Sequence, residues 1–144
     1  KVINIQGRPL KGGKRSRDTT GDFSTRNADM LRRALFHILP PGDMFVQRSA
    51  HTQGITMGAI PVVYDYPVGS LRRWIPPYAG ILNWSNFSVV FELRDEEING
   101  SSNHWPRLQK HLRSLVDAGA AEQLSASVSE VRCRFAWNAE GVLA

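Results

Sequence analysis

Short apolar runs alternate with amphipathic stretches along most of this chain. Apolar runs at Phe36–Leu39, Ile60–Tyr64 and Ser88–Leu93 predict three buried strands. The second run is the clearest, because it is β-branched and its Pro61 stands near the start, where a strand tolerates proline. Alternation of apolar and polar residues over Val2–Ile5 predicts a fourth, short strand.

Helical spacing of apolar residues predicts helices between and after these strands. One helix is expected after Asn27, which suits an N-cap, and another over Ser49–Gly58. Two more helices are expected to close the chain, since apolar residues recur every three or four positions at Leu108, Leu112, Leu115 and Val116 and again at Leu124, Val128, Val131 and Phe135. The alternation predicts an α/β fold: a Rossmann-like parallel sheet of about four strands with helices on both faces.

The net charge of +5 is concentrated at one end of the chain. Residues 1–26 hold seven Lys or Arg against two Asp, whereas residues 27–144 hold eleven of each sign. We therefore predict a basic N-terminal strand and loop over 1–26 and an α/β domain over 27–144. Such a segment can contact acidic glycans, anionic lipid or nucleic acid. A solvated loop is favoured and nucleic acid is not indicated, because no aromatic residues interleave the charges.

Length and composition exclude several classes of protein. A chain of 144 residues makes one ordinary domain, and no apolar run approaches the roughly 20 residues of a membrane-spanning helix. Because the sequence lacks an initiator Met and a signal-like start, we expect Lys1 to begin a fragment of a larger protein. The single Cys133 excludes an internal disulfide and is expected to be a buried or half-buried spectator. The sequence predicts no metal site, since no Cys or carboxylate stands at ligand spacing from the four histidines, which are His37, His51, His104 and His111.

A polar loop between the first two predicted strands has the chemistry of a phosphate site. It contains Gly42, where the backbone can approach a ligand closely, and it ends at Arg48 and Ser49, where a helix is expected to begin. Unpaired N–H groups of a first helical turn and a guanidinium suit a diphosphate. From these residues alone, an ordinary surface turn is the favoured explanation of the loop, because a single Gly and Arg near a helix start are common.

Four short blocks resemble the exostosin-like glycosyltransferase family, in the same order as in that family. They are Pro-Pro-Gly-Asp at Pro40–Asp43, Gly-Ala-Ile-Pro-Val-Val at Gly58–Val63, Trp-Ser-Asn-Phe-Ser-Val at Trp84–Val89, and an aromatic pair within Phe135–Trp137. Each block is weak alone, but the ordered set is fairly specific. The resemblance implies a GT-B enzyme, with this chain as its C-terminal, donor-binding half.

The resemblance also implies a reaction and a site. The reaction would be transfer of a sugar from a nucleoside diphosphate sugar to a glycan or glycoprotein acceptor, inverting and independent of metal. Arg48 matches the basic residue that meets the diphosphate, and Gln53 matches a position that is often acidic and faces the ribose or base. Tyr64 and Asp65 follow the best strand, at the ligand side of an open sheet. The predicted donor-binding residues are therefore Gly42, Arg48, Ser49, Gln53, Tyr64 and Asp65.

The remaining partners implied by the resemblance lie outside this sequence. The catalytic base is unknown here and is expected from the missing N-terminal domain of the same protein. No cofactor is expected besides the nucleotide sugar, which is a substrate. The family implies a location on the lumenal side of the Golgi membrane, through an anchor that this sequence does not contain.

Two departures from the family pattern support a second interpretation. Ser49 stands where many members carry a second basic residue, and Gln53 is not a carboxylate. A non-catalytic glycan-binding module with the same fold would also fit these changes. The aromatic residues after the second strand can stack on a ligand or pack the loop, and both interpretations stay open. The acidic run Asp95–Glu97 is best explained as a solvated turn at a helix start.

Overall fold

The computed structural model describes the middle of the chain and most of its C-terminal half. The described residues are 29–39, 49–66, 76, 78 and 80–135. The strand predicted over Val2–Ile5 and the Asn27 cap lie outside these residues, as does the basic segment 1–26. Residues 29 to 33 are helical and lead into the first strand.

Three parallel strands form the sheet, in the order β1-β2-β3. They are β1 (Phe36–Leu39), β2 (Ile60–Asp65) and β3 (Val89–Glu92). Val62 of β2 lies opposite Val89 of β3. The three strands predicted between residues 36 and 93 are confirmed, and every strand end agrees with the prediction to within one residue.

Besides the helical residues 29–33, the described residues form four α-helices and two 3-10 turns. The helices are α1 (Ser49–Thr56), α2 (Asp95–Ile98), α3 (Trp105–Asp117) and α4 (Ala120–Val131), and the 3-10 turns span Trp84–Asn86 and Arg132–Phe135. The predicted last helix therefore ends at Val131 and tightens into a 3-10 turn. Between α3 and α4 the chain reverses at Gly119, whose φ of 72° is left-handed and favours glycine.

Strand β2 is the centre of the hydrophobic core. Its residues from Ile60 to Tyr64 are all buried, which requires cover on both faces of the sheet. Alternation along the strands places Ile60, Val62 and Tyr64 on one face with Val89 and Phe91. The buried residues that join them from the helices are Ile55, Leu108, Leu112, Ala121 and Val128. The described part is thus mixed α/β, with a parallel sheet compatible with a Rossmann-like fold.

Aromatic side chains join the connection between β2 and β3 to the 3-10 turn Arg132–Phe135. The Trp84 and Phe87 rings lie 4.9 Å apart, and the Phe135 ring lies 5.9 Å from Trp84 and 6.3 Å from Phe87. All three residues are buried. These aromatic residues, which belong to the blocks that resemble the exostosin-like family, therefore pack in the hydrophobic core.

Cys133 is exposed, so the prediction of a buried or half-buried cysteine was wrong. Its 3-10 turn lies beyond the amphipathic part of α4, and the turn buries Phe135 while Cys133 stays at the surface.

Within the described ranges, no helix combines the length and the apolar character needed to cross a bilayer.

Candidate functional site

The carboxyl ends of the three parallel strands meet at one edge of the sheet. The strands end at Leu39, Asp65 and Glu92. Because α1 finishes just before β2 begins, its start at Ser49 points toward this same edge. In open α/β sheets, ligands bind in the crevice outside the carboxyl ends of the strands. This edge is the candidate site.

Tyr64 lies at the edge but is held inside the protein. Its side chain is 4% exposed, and its ring meets Phe91 edge-on at 6.0 Å. The phenol oxygen lies 3.1 Å from Nε2 of His104. Burial, and then the neighbouring Tyr66, raise the pKa of Tyr64 to about 12, so the hydroxyl stays protonated at neutral pH. The ring of Tyr64 therefore packs inside the protein.

His104 completes this part of the site, and no sequence pattern identified it as a site residue. It precedes α3, its ring stacks on Trp105 at 4.9 Å, and its ring meets Tyr64 edge-on at 5.3 Å. Its side chain is half-buried. Forty residues separate it from Tyr64. Only the topology, which brings the start of α3 to the end of β2, shows that the two residues are neighbours.

Asp65 is the last residue of β2 and is half-buried at the edge. Its Oδ1 accepts a hydrogen bond of 3.0 Å from the backbone N–H of Tyr66. Its backbone carbonyl accepts a bond of 2.9 Å from the N–H of Leu93, which ties the ends of β2 and β3 together. The carboxylate is therefore held by its own turn at the sheet edge, as the strand-end prediction required.

An ion pair between Glu97 and Arg107 closes the β3 side of the edge. Arg107 Nε donates to Glu97 Oε1 at 3.0 Å, and Nη2 donates to Oε2, so the contact is bidentate. Nη2 also donates to the carbonyl of Glu92 at 2.7 Å, and the guanidinium carbon lies 4.1 Å from the centre of the Phe91 ring. Arg107 thus joins β3, α2 and α3 into one rigid unit.

The same pair corrects one sequence-based expectation. Asp95 and Glu96 are exposed, as expected of a solvated turn, but the side chain of Glu97 is only 4% exposed. Its Oε2 also accepts a bond of 2.9 Å from the N–H of Arg94. The hydrogen bond from Arg107, chiefly, lowers the pKa of Glu97 to about 2, while the carboxylate raises the pKa of the guanidinium. Glu97 is a structural group of the site and is fully ionised at neutral pH.

We expect this pair to make stability depend on pH in the acid range. The folded pKa of Glu97 is about 2 against an ordinary value of 4.5. Its contribution is therefore fully present above about pH 4.5 and is lost progressively as the pH falls toward 2. Urea denaturation of the wild type and Glu97→Gln at intervals from pH 7 to 2 measures this. The difference in unfolding free energy should shrink as the pH falls through that window; a constant difference would contradict the assignment.

The other predicted site residues lie along α1 or outside the described residues. Ser49 begins α1. Gln53 is exposed one turn further along the helix. Gly42 and Arg48 belong to the range 40–48, which lies outside the described residues. The structure thus brings Tyr64 and Asp65 to one edge, adds His104, Glu97 and Arg107 to it, and aims the start of α1 toward it.

A scan against models of protein families matched the Exostosin GT47 domain over residues 4–101. The matched segment contains the whole described sheet, α1, α2 and every predicted site residue, whereas the block Phe135–Trp137 lies beyond it. A search of curated proteins and a search of solved structures found no significant match.

Proposed function

The chain belongs to the exostosin GT47 family of glycosyltransferases, and we propose that it binds the nucleoside diphosphate sugar from which such an enzyme transfers a sugar to a glycan. The observation that carries this proposal is the juxtaposition at the carboxyl edge of the sheet. Fixed polar groups at the ends of β2 and β3 face the edge toward which the start of α1 points. The family match supports the transfer of a sugar, and the position of the polar groups at this edge supports the binding of a nucleotide.

In this proposal the two ends of the donor meet different residues. Gly42, Arg48 and Ser49 receive the diphosphate at the start of α1, where unpaired N–H groups and the guanidinium offset its charge. Gln53 and Asp65 lie around the ribose and base. Tyr64, also predicted to contact the donor, has a buried ring that suits a supporting role behind His104.

The whole enzyme is proposed to be a two-domain GT-B protein in which this chain is the C-terminal half. The N-terminal domain of the same protein would supply the catalytic base and the acceptor surface. We propose an inverting transfer without a metal, onto a glycan or glycoprotein, on the lumenal side of the Golgi membrane. Family membership supports these features.

Replacing Arg48 with alanine is expected to weaken nucleoside diphosphate binding about 10- to 100-fold. The reason is that charge-assisted hydrogen bonds to a phosphate contribute about 1.5–3 kcal/mol. Calorimetric titration of the wild type and Arg48→Ala with a panel of nucleoside diphosphates measures the loss. Arg113→Ala, an exposed arginine in α3, serves as the matched control and should bind like the wild type.

The same titration tests the alternative interpretation. A glycan-binding module would bind no nucleoside diphosphate yet would retain affinity for a sulfated or uronic acid oligosaccharide. Equal nucleotide affinity in Arg48→Ala and the wild type would remove Arg48 from the site.

A further inference from the structure

His104 is held at the carboxyl edge by two contacts on different parts of its ring. Nε2 lies 3.1 Å from the hydroxyl oxygen of Tyr64, and one face of the imidazole stacks on Trp105 at 4.9 Å. Tyr64 is itself fixed, since it is buried and packs edge-on against Phe91. The imidazole is therefore positioned before any ligand arrives, which lowers the entropic cost of binding to it.

The contact with Tyr64 determines which ring nitrogen is available. The phenol keeps its proton at neutral pH because burial raises its pKa. When the Tyr64 hydroxyl donates to Nε2, the proton of the neutral imidazole lies on Nδ1. No hydrogen bond between described residues uses Nδ1 of His104. In that arrangement the ring offers one N–H donor, at Nδ1, and its half-buried position leaves part of the ring accessible.

The charges around this ring favour a neutral oxygen over a phosphate. The guanidinium of Arg107 is engaged by Glu97, and the two charges cancel. The neighbouring strand ends carry the carboxylates of Asp65 and Glu92. Positive charge from Arg48 is predicted instead next to the start of α1, the helix that connects β1 to β2. A hydroxyl group fits the environment of His104 better than a diphosphate does.

We propose that His104, held by Tyr64, donates a hydrogen bond from Nδ1 to a hydroxyl oxygen of a sugar ring in the bound nucleotide sugar. This rests on the proposed function and names the part of the donor that lies over the ends of β2 and β3. The hydroxyl belongs to the ribose or to the transferred sugar. His104 is in this account a ligand-binding residue, and Tyr64 is the residue that positions it.

Calorimetric titrations with three probes test the assignment: inorganic pyrophosphate, a nucleoside diphosphate and the matching nucleoside diphosphate sugar. We expect His104→Ala to bind the nucleoside diphosphate sugar about 3- to 10-fold more weakly, the usual effect of one lost hydrogen bond. Its affinity for pyrophosphate should be unchanged. A loss seen already with the nucleoside diphosphate assigns the ribose, and a loss confined to the nucleotide sugar assigns the transferred sugar.

Two control variants separate direct contact from a structural effect. Tyr64→Phe removes the same hydrogen bond but leaves the imidazole, so it should weaken nucleotide binding less than His104→Ala. His111→Ala changes the exposed histidine two turns further along α3 and should bind like the wild type. In the wild-type protein, NMR signals of the His104 ring should shift on addition of the nucleotide sugar and not on addition of pyrophosphate. This measurement tests the role of His104 even if His104→Ala does not fold.

Three results would overturn the assignment. They are unchanged affinity of His104→Ala for both the nucleoside diphosphate and the nucleotide sugar, an equal loss in Tyr64→Phe and His104→Ala, and an unmoved His104 signal at saturating nucleotide sugar. Each of these leaves nucleotide binding itself intact and so overturns only the role of His104. Failure of the wild type to bind any nucleotide would overturn the proposed function, and the role of His104 with it.

Discussion

Replacing Phe87 with alanine is expected to lower the free energy of unfolding by about 3–5 kcal/mol, the usual cost of truncating a buried phenylalanine. The side chain is 1% exposed and packs against the rings of Trp84 and Phe135. Its loss would leave a cavity where the β2–β3 connection meets the last helical segment. Urea denaturation followed by circular dichroism measures the change.

An exposed apolar residue on the same connection provides the control. Ile81 is 76% exposed, so Ile81→Ala should change stability by no more than about 0.5 kcal/mol. A loss of unfolding free energy below about 1 kcal/mol for Phe87→Ala, or equal losses for the two variants, would show that the aromatic cluster does not stabilise the core.

Replacing Gly54 with alanine should destabilise the protein, although the same change inside a helix ordinarily stabilises by about 0.5–1 kcal/mol. A Cβ at this position would lie 2.1 Å from Nδ1 and 2.9 Å from Cγ of His37. Contacts this short force the ring or the helix to move, and overpacking of this kind costs about 1–3 kcal/mol. Thermal denaturation of Gly54→Ala should therefore give a lower Tm than the wild type.

The mechanism of that effect can be tested with a second variant and a control. His37→Ala removes the ring that clashes, so adding Gly54→Ala to it should cost far less than adding it to the wild type. Gly80 has open space around it, and Gly80→Ala should leave the Tm nearly unchanged. A Tm for Gly54→Ala at or above that of the wild type would contradict the close packing of α1 on β1.

Most strands and helices could be predicted because each follows a clear pattern of apolar residues in the sequence. Strand β2 is an uninterrupted apolar run and β3 a mostly apolar one, and α3 repeats apolar residues at helical spacing. The end of the last helix was harder to predict. Its apolar stripe reaches Phe135, yet the α-helix stops at Val131 and the tighter 3-10 turn leaves Cys133 exposed. Periodicity alone does not distinguish the two kinds of turn.

The candidate site was predictable only where it depends on position along a strand. Asp65 follows from the rule that ligands gather at the carboxyl ends of parallel strands. His104 and the partnership of Glu97 with Arg107 could not be foreseen, because they depend on where α2 and α3 turn back over the sheet. Ten residues separate Glu97 from Arg107, a spacing that matches neither one helix face nor a hairpin.

The carboxyl edge of this sheet is proposed to bind a nucleotide. Chemical shift mapping by NMR, with the nucleoside diphosphate that binds most tightly, tests it most directly. We predict that shifts at saturation cluster at the strand ends and the start of α3, around Asp65, Glu92 and His104, and spare the amino ends at Phe36 and Ile60. Shifts that centre on those amino ends, or on the exposed surface of α4, would contradict the account.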